Sequence, residues 1–226
     1  MHELDLFLQM HFPKLVLGPS LTDQWEIGIH FPFAKDMYPF NKDGSLNKQM
    51  FERVYEQASA LFNALFSKQD ELFLVTSVYQ NKHMKLASGR IKTYDRRVKN
   101  KSLLSKLVQR NIPYPFIDEG NADQFVTSQF ILKCKARDLR APLLIQAACN
   151  EDFPLLKPRF GTSRCFAAYP DLFFINRTEQ LIYFIYDDRG CEIIATDKAI
   201  LRPIYEKYSL WLDDFDRKHA DSLFAN

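Results

Sequence analysis

The residues from Asp171 to Phe224 constrain this chain more than any others, because three apolar strand-like runs lead directly into an amphipathic helical pattern. Leu172 to Ile175 and Leu181 to Tyr186 are apolar at odd and even positions alike, the mark of strands at the centre of a sheet covered on both faces. Between them Asn176-Arg177-Thr178-Glu179-Gln180 is short and polar enough for a hairpin connection, and Asp187-Asp188-Arg189-Gly190 turns the chain into a third run, Cys191 to Thr196. Gly190 is expected to supply a positive φ in that second turn. From Lys198 onward, Ile200, Leu201, Ile204, Tyr205, Tyr208, Trp211, Leu212 and Phe215 recur at spacings of three and four, which predicts one long helix anchored by Trp211.

The remainder of the chain supplies what such a sheet needs. Leu4 to Phe12 reads as a short helix that ends before Pro13, and Gln24 to Phe31 alternates cleanly as a half-buried strand with His30 on its polar face. Leu46 to Leu65 carries a helical stripe, Leu72 to Tyr79 reads as another inner strand, Gln124 to Lys135 alternates again, and Leu143 to Cys149 is a helix entered through Pro142. Ile91, Thr93 and Tyr94 suggest a short exposed strand, and Lys101 to Gln109 a helix lying on the core. A chain of 226 residues can bury roughly 70 to 75% of its unfolded surface, so a single domain over residues 1–226 is expected. The expected fold is α+β: a mostly antiparallel sheet of about six strands covered by helices, ending in a β-hairpin and a long C-terminal helix.

Charge is distributed unevenly. The stretch from Lys82 to Arg110 holds ten basic residues and one acid, Asp95, for a local charge of +9; the whole chain carries +2, which leaves −7 on the rest. Ten like charges are costly to bury, so this stretch is expected on the surface. Lys82, Lys85, Arg90, Lys92, Arg96 and Arg97 are its candidate binding residues. Their partner would be an acidic protein, with nucleic acid as the other possibility. Tyr94 is the lone aromatic residue of the stretch, so contacts to nucleic acid would be mainly to phosphate and would weaken steeply with salt. The alternative is that the stretch folds back on the acidic remainder of the chain.

No apolar run is long enough to span a bilayer, and the acidic start, Met1-His2-Glu3-Leu4-Asp5, lacks the basic region of a secretory signal; a cytoplasmic protein without a membrane partner is expected. The cysteines at 134, 149, 165 and 191 include no C-x-x-C pair and none lies close to a histidine, which points to reduced thiols rather than a zinc site. Phosphate-loop, dinucleotide, zinc-protease and serine-elbow motifs are missing, and no cofactor is implied. Asp187 and Asp188 are the candidate metal ligands, and with Arg189 they could serve a hydrolase or nuclease, since neighbouring carboxylates push their pKa values apart. Asp187-Asp188-Arg189-Gly190 is also what a tight turn needs. Asp213, Asp214 and Asp216 read as a solvated helix face. His30 is the one histidine whose position suits a catalytic base, with a simple hydrogen-bonded role as the alternative.

Tyr186-Asp187-Asp188-Arg189-Gly190, Leu201-Arg202-Pro203-Ile204-Tyr205-Glu206-Lys207-Tyr208 with Trp211, Leu17-Gly18-Pro19-Ser20-Leu21 and Lys101-Ser102-Leu103-Leu104 resemble a bacterial domain-of-unknown-function family of bacilli and their relatives. The resemblance covers most of the chain and implies a bacterial cytosolic origin; it assigns no activity, cofactor or residue role. Two functions are therefore carried forward. One is a non-enzymatic binding protein that engages an acidic macromolecule through the basic segment. The other is a metal-dependent hydrolase or nuclease using Asp187, Asp188 and Arg189. The oligomeric state is left open by the sequence.

Overall fold

The structure is a computed structural model and describes residues 2–83, 92–116, 122–160 and 170–225, with Lys92 and Thr93 described by their backbone alone. In chain order its elements are α1 (Glu3–His11), α2 (Leu21–Gln24), β1 (Gly28–Pro32), α3 (Lys48–Leu65), β2 (Glu71–Asn81), α4 (Lys92–Arg97), β3 (Val108–Ile112), β4 (Phe125–Lys135), α5 (Ala141–Cys149), β5 (Asp171–Asn176), β6 (Leu181–Asp187), β7 (Gly190–Ala195), α6 (Lys198–Tyr208) and α7 (Asp214–Phe224). The strands form one sheet in the order β1-β7-β6-β5-β2-β4-β3, with every neighbouring pair antiparallel. The fold is α+β.

Period-two alternation in the inner strands feeds two separate cores. Leu72, Leu74, Phe174, Tyr183, Ile185 and Ile193 pack on one face beneath α3, α5, α6 and α7. Phe73, Val75, Phe173, Ile175, Ile182 and Phe184 pack on the other face beneath α1, α2 and the loop residues Phe12 and Leu17. β6 lies between β5 and β7, paired along both edges, as its two apolar faces require. The helices that cover the sheet carry stripes at the expected spacing: Met50, Val54, Ala58, Leu61 and Leu65 on α3 are buried, and the Asn47 side chain caps that helix through a 3.2 Å bond from the Met50 amide.

Three stretches differ from the sequence expectation. Thr93 and Tyr94 lie in a helix, α4, rather than a strand, and Tyr94 is fully buried with its hydroxyl 2.9 Å from Thr76 Oγ1; Ile91 falls outside the described residues. Lys101 to Lys106 forms a 3-10 helix, after which Val108 to Ile112 becomes an edge strand, so the sheet has seven strands. The C-terminal helical stretch divides into α6 and α7 around a 3-10 turn at Ser209–Trp211. Leu201, Ile204, Tyr208 and Leu212 hold the buried stripe, Trp211 is half-buried, and Phe215 is 81% exposed because α7 restarts with a new phase under the Asp213 cap. Gly190 also has a different role. Its φ is ordinary, but a Cβ there would collide with Tyr186 Oη and come within 2.7 Å of the Phe31 carbonyl oxygen.

Among the described residues no helix is long and apolar enough to cross a membrane. Burial also ranks the aromatic residues by their weight in stability. Phe184→Ala, in the core under α1, should cost about 3–5 kcal/mol in urea unfolding, whereas Phe215→Ala should change stability by less than about 0.5 kcal/mol.

Candidate functional site at the end of the sheet

Where β6 leaves the core its side chains change within two positions from Ile185, fully buried in apolar contacts, to Tyr186 and Asp187. Here the sheet ends in a cavity of about 250 Å³ lined by Pro19, Tyr79, Phe116, Glu151, Asp152, Asp171, Tyr186, Asp187 and Arg189. Tyr186 belongs to the side of the sheet covered by α1 and α2, whereas Glu151 and Asp152 follow α5 on the opposite side. The cavity therefore wraps around the strand ends.

The tip of the β6–β7 hairpin supplies one lining carboxylate, Asp187, and a second, Asp188, beside it. Asp187 Oδ1 accepts from the Arg189 amide at 2.7 Å, and Asp187 Oδ2 accepts from Arg189 Nε at 2.8 Å and from Nη2. Nothing in this pairing occupies Arg189 Nη1, and the side chain is mostly exposed. Asp188 is 4% exposed, and no other side chain among the described residues donates to it. Burial and the adjacent Asp187 charge push its carboxyl up to about 6.

The third carboxylate arrives from the turn after α5. Asn150 pins that turn by donating to the Pro158 carbonyl at 2.9 Å, and Arg159 Nη2 donates to the Glu151 carbonyl at 2.7 Å. So anchored, Asp152 brings a carboxylate oxygen within 4.8 Å of ligand atoms on both Asp187 and Asp188. Glu151, 3% exposed, accepts at Oε1 from the Phe160 amide at 3.3 Å, while its Oε2 has no hydrogen-bond partner among the described residues. Burial pushes the Glu151 carboxyl up to about 7. Across the cavity Tyr79 donates to Asp171 Oδ2, and Asp171 is raised by burial to about 7 against the opposing effect of that bond. Tyr79 meets Phe116 edge to face at 5.3 Å, which makes this wall aromatic.

A polar chain reaches the same cavity from the sheet edge. His30 Nδ1 lies 2.8 Å from Asp216 Oδ2, and His30 Nε2 lies 2.8 Å from Tyr186 Oη. Glu192, the register partner of His30 on β7, accepts from the Leu21 amide at 2.7 Å and from Thr22 Oγ1 at 2.8 Å. Burial works to lower the His30 pKa, but the hydrogen bond and charge of Asp216, with Glu192 and Asp213, leave it raised. Burial raises the Tyr186 hydroxyl well above its ordinary value.

The structure brings Asp187, Asp188, Arg189 and His30 to one end of the sheet, and adds Glu151, Asp152, Asp171, Tyr79, Tyr186 and Asp216 to them. The basic segment is placed differently. Lys85 and Arg90 fall outside the described residues, as does the side chain of Lys92. Arg97, expected on the surface, is 5% exposed and ties α4 to the turn after α5 by donating to the carbonyls of Leu143 at 3.2 Å and Arg159 at 2.8 Å. Lys82 donates to the Asp123 carbonyl at 2.6 Å, Lys99 to the Arg137 carbonyl at 3.1 Å, and Arg110 pairs with Asp5 at 2.7 Å. Arg96 and Lys106 are exposed and make no hydrogen bond or ion pair among the described residues. The three described free cysteines, Cys134, Cys149 and Cys191, are buried in the core and do not line the cavity, although Cys149, its thiol raised by burial, lies close enough to Asp188 and Asp187 for their charges to raise it further, and Cys165 falls outside the described residues.

The raised carboxyls set a pH dependence. Each keeps its proton in the folded chain at pH values where the unfolded chain has lost it, so stability falls as pH rises from the ordinary carboxylate range through about 6 for Asp188 and about 7 for Glu151 and Asp171. Asp188→Asn should therefore be more stable than the wild type at about pH 8, with the advantage gone at about pH 4, as read by urea unfolding at the two pH values.

Comparison with known proteins places this site in a family context. The family model described as "Domain of unknown function (DUF3885)" matches residues 4–216, which include every residue of the cavity and of the His30 chain. A relative from Bacillus subtilis (strain 168), "Uncharacterized protein YnaE", is 43% identical over 209 residues, covering 92% of this chain and 96% of its own length. No solved structure matches. With its fold, cavity and near full-length match in view, this chain belongs to the DUF3885 family.

Proposed function

We propose that this protein is a divalent-cation-dependent hydrolase of the bacterial cytosol, acting on a small phosphoester at the end of the sheet. The observation that carries the reading is the convergence of Asp152, Asp187 and Asp188, with ligand atoms within 4.8 Å of one another, beside a cavity also lined by Glu151, whose buried Oε2 has no partner among the described residues. A carboxylate set without sulfur or imidazole suits hard cations such as Mg²⁺, Mn²⁺ or Ca²⁺. A cation there would offset the repulsion that raises Asp188 and would supply Lewis-acid chemistry to a bound water or ester oxygen. The remaining groups fit this role. Arg189 can turn Nη1 toward an anionic ester, and the protons that Glu151 and Asp171 retain up to about pH 7 make them available donors to a leaving oxygen.

The second reading, an acidic partner met by the basic segment, draws on fewer groups. Of the basic side chains described between Lys82 and Arg110, Arg96 and Lys106 are exposed and unengaged, while Lys82, Arg97, Lys99, Lys101 and Arg110 bond within the chain. An effect of charge reversal at Arg96 and Lys106 on salt-sensitive binding to a polyanion such as heparin would favour it.

The cation reading is checked by terbium luminescence excited through tyrosine, since Tyr79 and Tyr186 line the cavity. Saturable emission, displaced by Ca²⁺ or Mn²⁺, is expected from the wild type, with loss in Asp188→Asn and weakening in Glu151→Gln. Emission that is absent, or that is unchanged in Asp188→Asn, overturns the site. Hydrolysis of bis(4-nitrophenyl) phosphate that needs Mn²⁺ and stops with a chelator tests the chemistry.

A further inference from the structure

We infer that Tyr186 is the nucleophile of this site, with His30 as its general base and Asp216 as the residue that orients His30. The inference rests on the hydrolytic reading of the cavity and adds to it a covalent step. Its basis is geometric. Tyr186 Oη and His30 Nε2 lie at 2.8 Å, and His30 Nδ1 and Asp216 Oδ2 at 2.8 Å, so nucleophile, base and orienter are joined in the order that activated hydroxyl nucleophiles require. With Nδ1–H donating to Asp216, Nε2 is the free lone pair facing the phenol.

The surroundings hold this arrangement in place. Asp213 caps α7 by accepting from the amides of Phe215 at 2.9 Å and Asp216 at 2.8 Å, which fixes the turn that carries Asp216. The His30 and Tyr186 rings stack at 5.9 Å with 14° between their planes, and Gly190 leaves the space that Tyr186 Oη occupies. Tyr186 lines the same cavity as Asp152 and Asp187, and the Arg189 guanidinium lies 5.9 Å from the centre of its ring. A histidine serving only to tie β1 to α7 would need Asp216 but not the second bond to a cavity-lining phenol.

In the step so defined, Tyr186 Oη bonds to the phosphorus of a phosphoester as the bond to the leaving oxygen breaks. The phenolic proton passes to His30 Nε2 and from there to the leaving oxygen. Water then attacks the tyrosyl phosphate, gives one proton to His30, and the phosphorus–Oη bond breaks as Tyr186 regains its proton. The carboxylates that face His30 are Asp213 and Asp216 from α7 and Glu192 from β7; all three favour its charged form, so nucleophilic reactivity should rise as pH increases through its raised pKa.

Phenylmethanesulfonyl fluoride tests this without knowledge of the substrate. Attack by Tyr186 forms an oxygen–sulfur bond, breaks the sulfur–fluorine bond and releases fluoride, with the phenolic proton taken by His30. In chelator-containing buffer, peptide mass spectrometry should find Tyr186 sulfonylated faster than the other tyrosines. The rate should fall by about 100-fold in His30→Gln, the lower end of what a positioned base contributes, and by a smaller factor in Asp216→Asn. Should His30→Gln fail to fold, the wild-type rate decides: it must climb with pH across the His30 titration. An unmodified Tyr186, a rate equal in His30→Gln, or a rate flat across that titration overturns the inference. Wild-type terbium binding separates the two readings: Tyr186 labelled in a protein that binds no terbium overturns the cation and keeps the nucleophile, whereas terbium bound with Tyr186 unlabelled does the reverse.

Discussion

Burial of both faces of the sheet is the constraint on which the rest of this structure depends. Apolar side chains alternate into two cores, one beneath α3, α5, α6 and α7 and one beneath α1 and α2, so the central strands have no solvated face on which polar groups could sit. Functional side chains can then gather only where strands stop. Tyr79 near the end of β2, Asp171 at the start of β5 and Tyr186 with Asp187 at the end of β6 all sit at such stops, and the antiparallel register brings them to the same end.

That placement also accounts for the electrostatics. A carboxylate at the margin of a double core loses water on its inner side, and each of Glu151, Asp171 and Asp188 has its pKa raised chiefly by desolvation. Asp187 lies as close to the core and is paired with the Arg189 fork within the same turn. The cluster is thus divided between a charge-paired carboxylate and several that hold protons toward neutrality, a division common in sites that exchange protons or bind cations.

Much of the frame was legible in the sequence, and the reasons are specific. Continuous apolar runs at Leu172 to Ile175 and Leu181 to Tyr186 could satisfy themselves only as inner strands. β3 was illegible because an exposed edge strand with one partner shows no burial pattern, and basic residues around Leu103, Leu104 and Leu107 imitate a helical face. The break between α6 and α7 hid behind a continuing apolar period, although Asp213 followed three positions later by Asp216 is a capping arrangement that signals a new helix start. For the site, Asp187, Asp188, Arg189 and His30 stood out locally, whereas Asp152 and Glu151 come from an irregular stretch with no periodic signal. His30 and Asp216 are 186 positions apart, a pairing that only the packing of α7 on β1 creates.

Gly190 shows how tightly the frame and the site are joined. Its missing side chain is set by close approach and not by backbone conformation: Phe31 on β1 and the Tyr186 hydroxyl both press on the position where a Cβ would stand. Because Gly190 pairs with Asp187 across the hairpin and with Pro32 across the next ladder, any displacement there moves the carboxylate turn and the edge strand that carries His30 together. The hairpin tip and the His30 chain are therefore not two decorations on separate elements. They share one backbone contact, and the position of Tyr186 Oη relative to His30 and that of Asp187 and Asp188 relative to Asp152 are fixed by the same close packing.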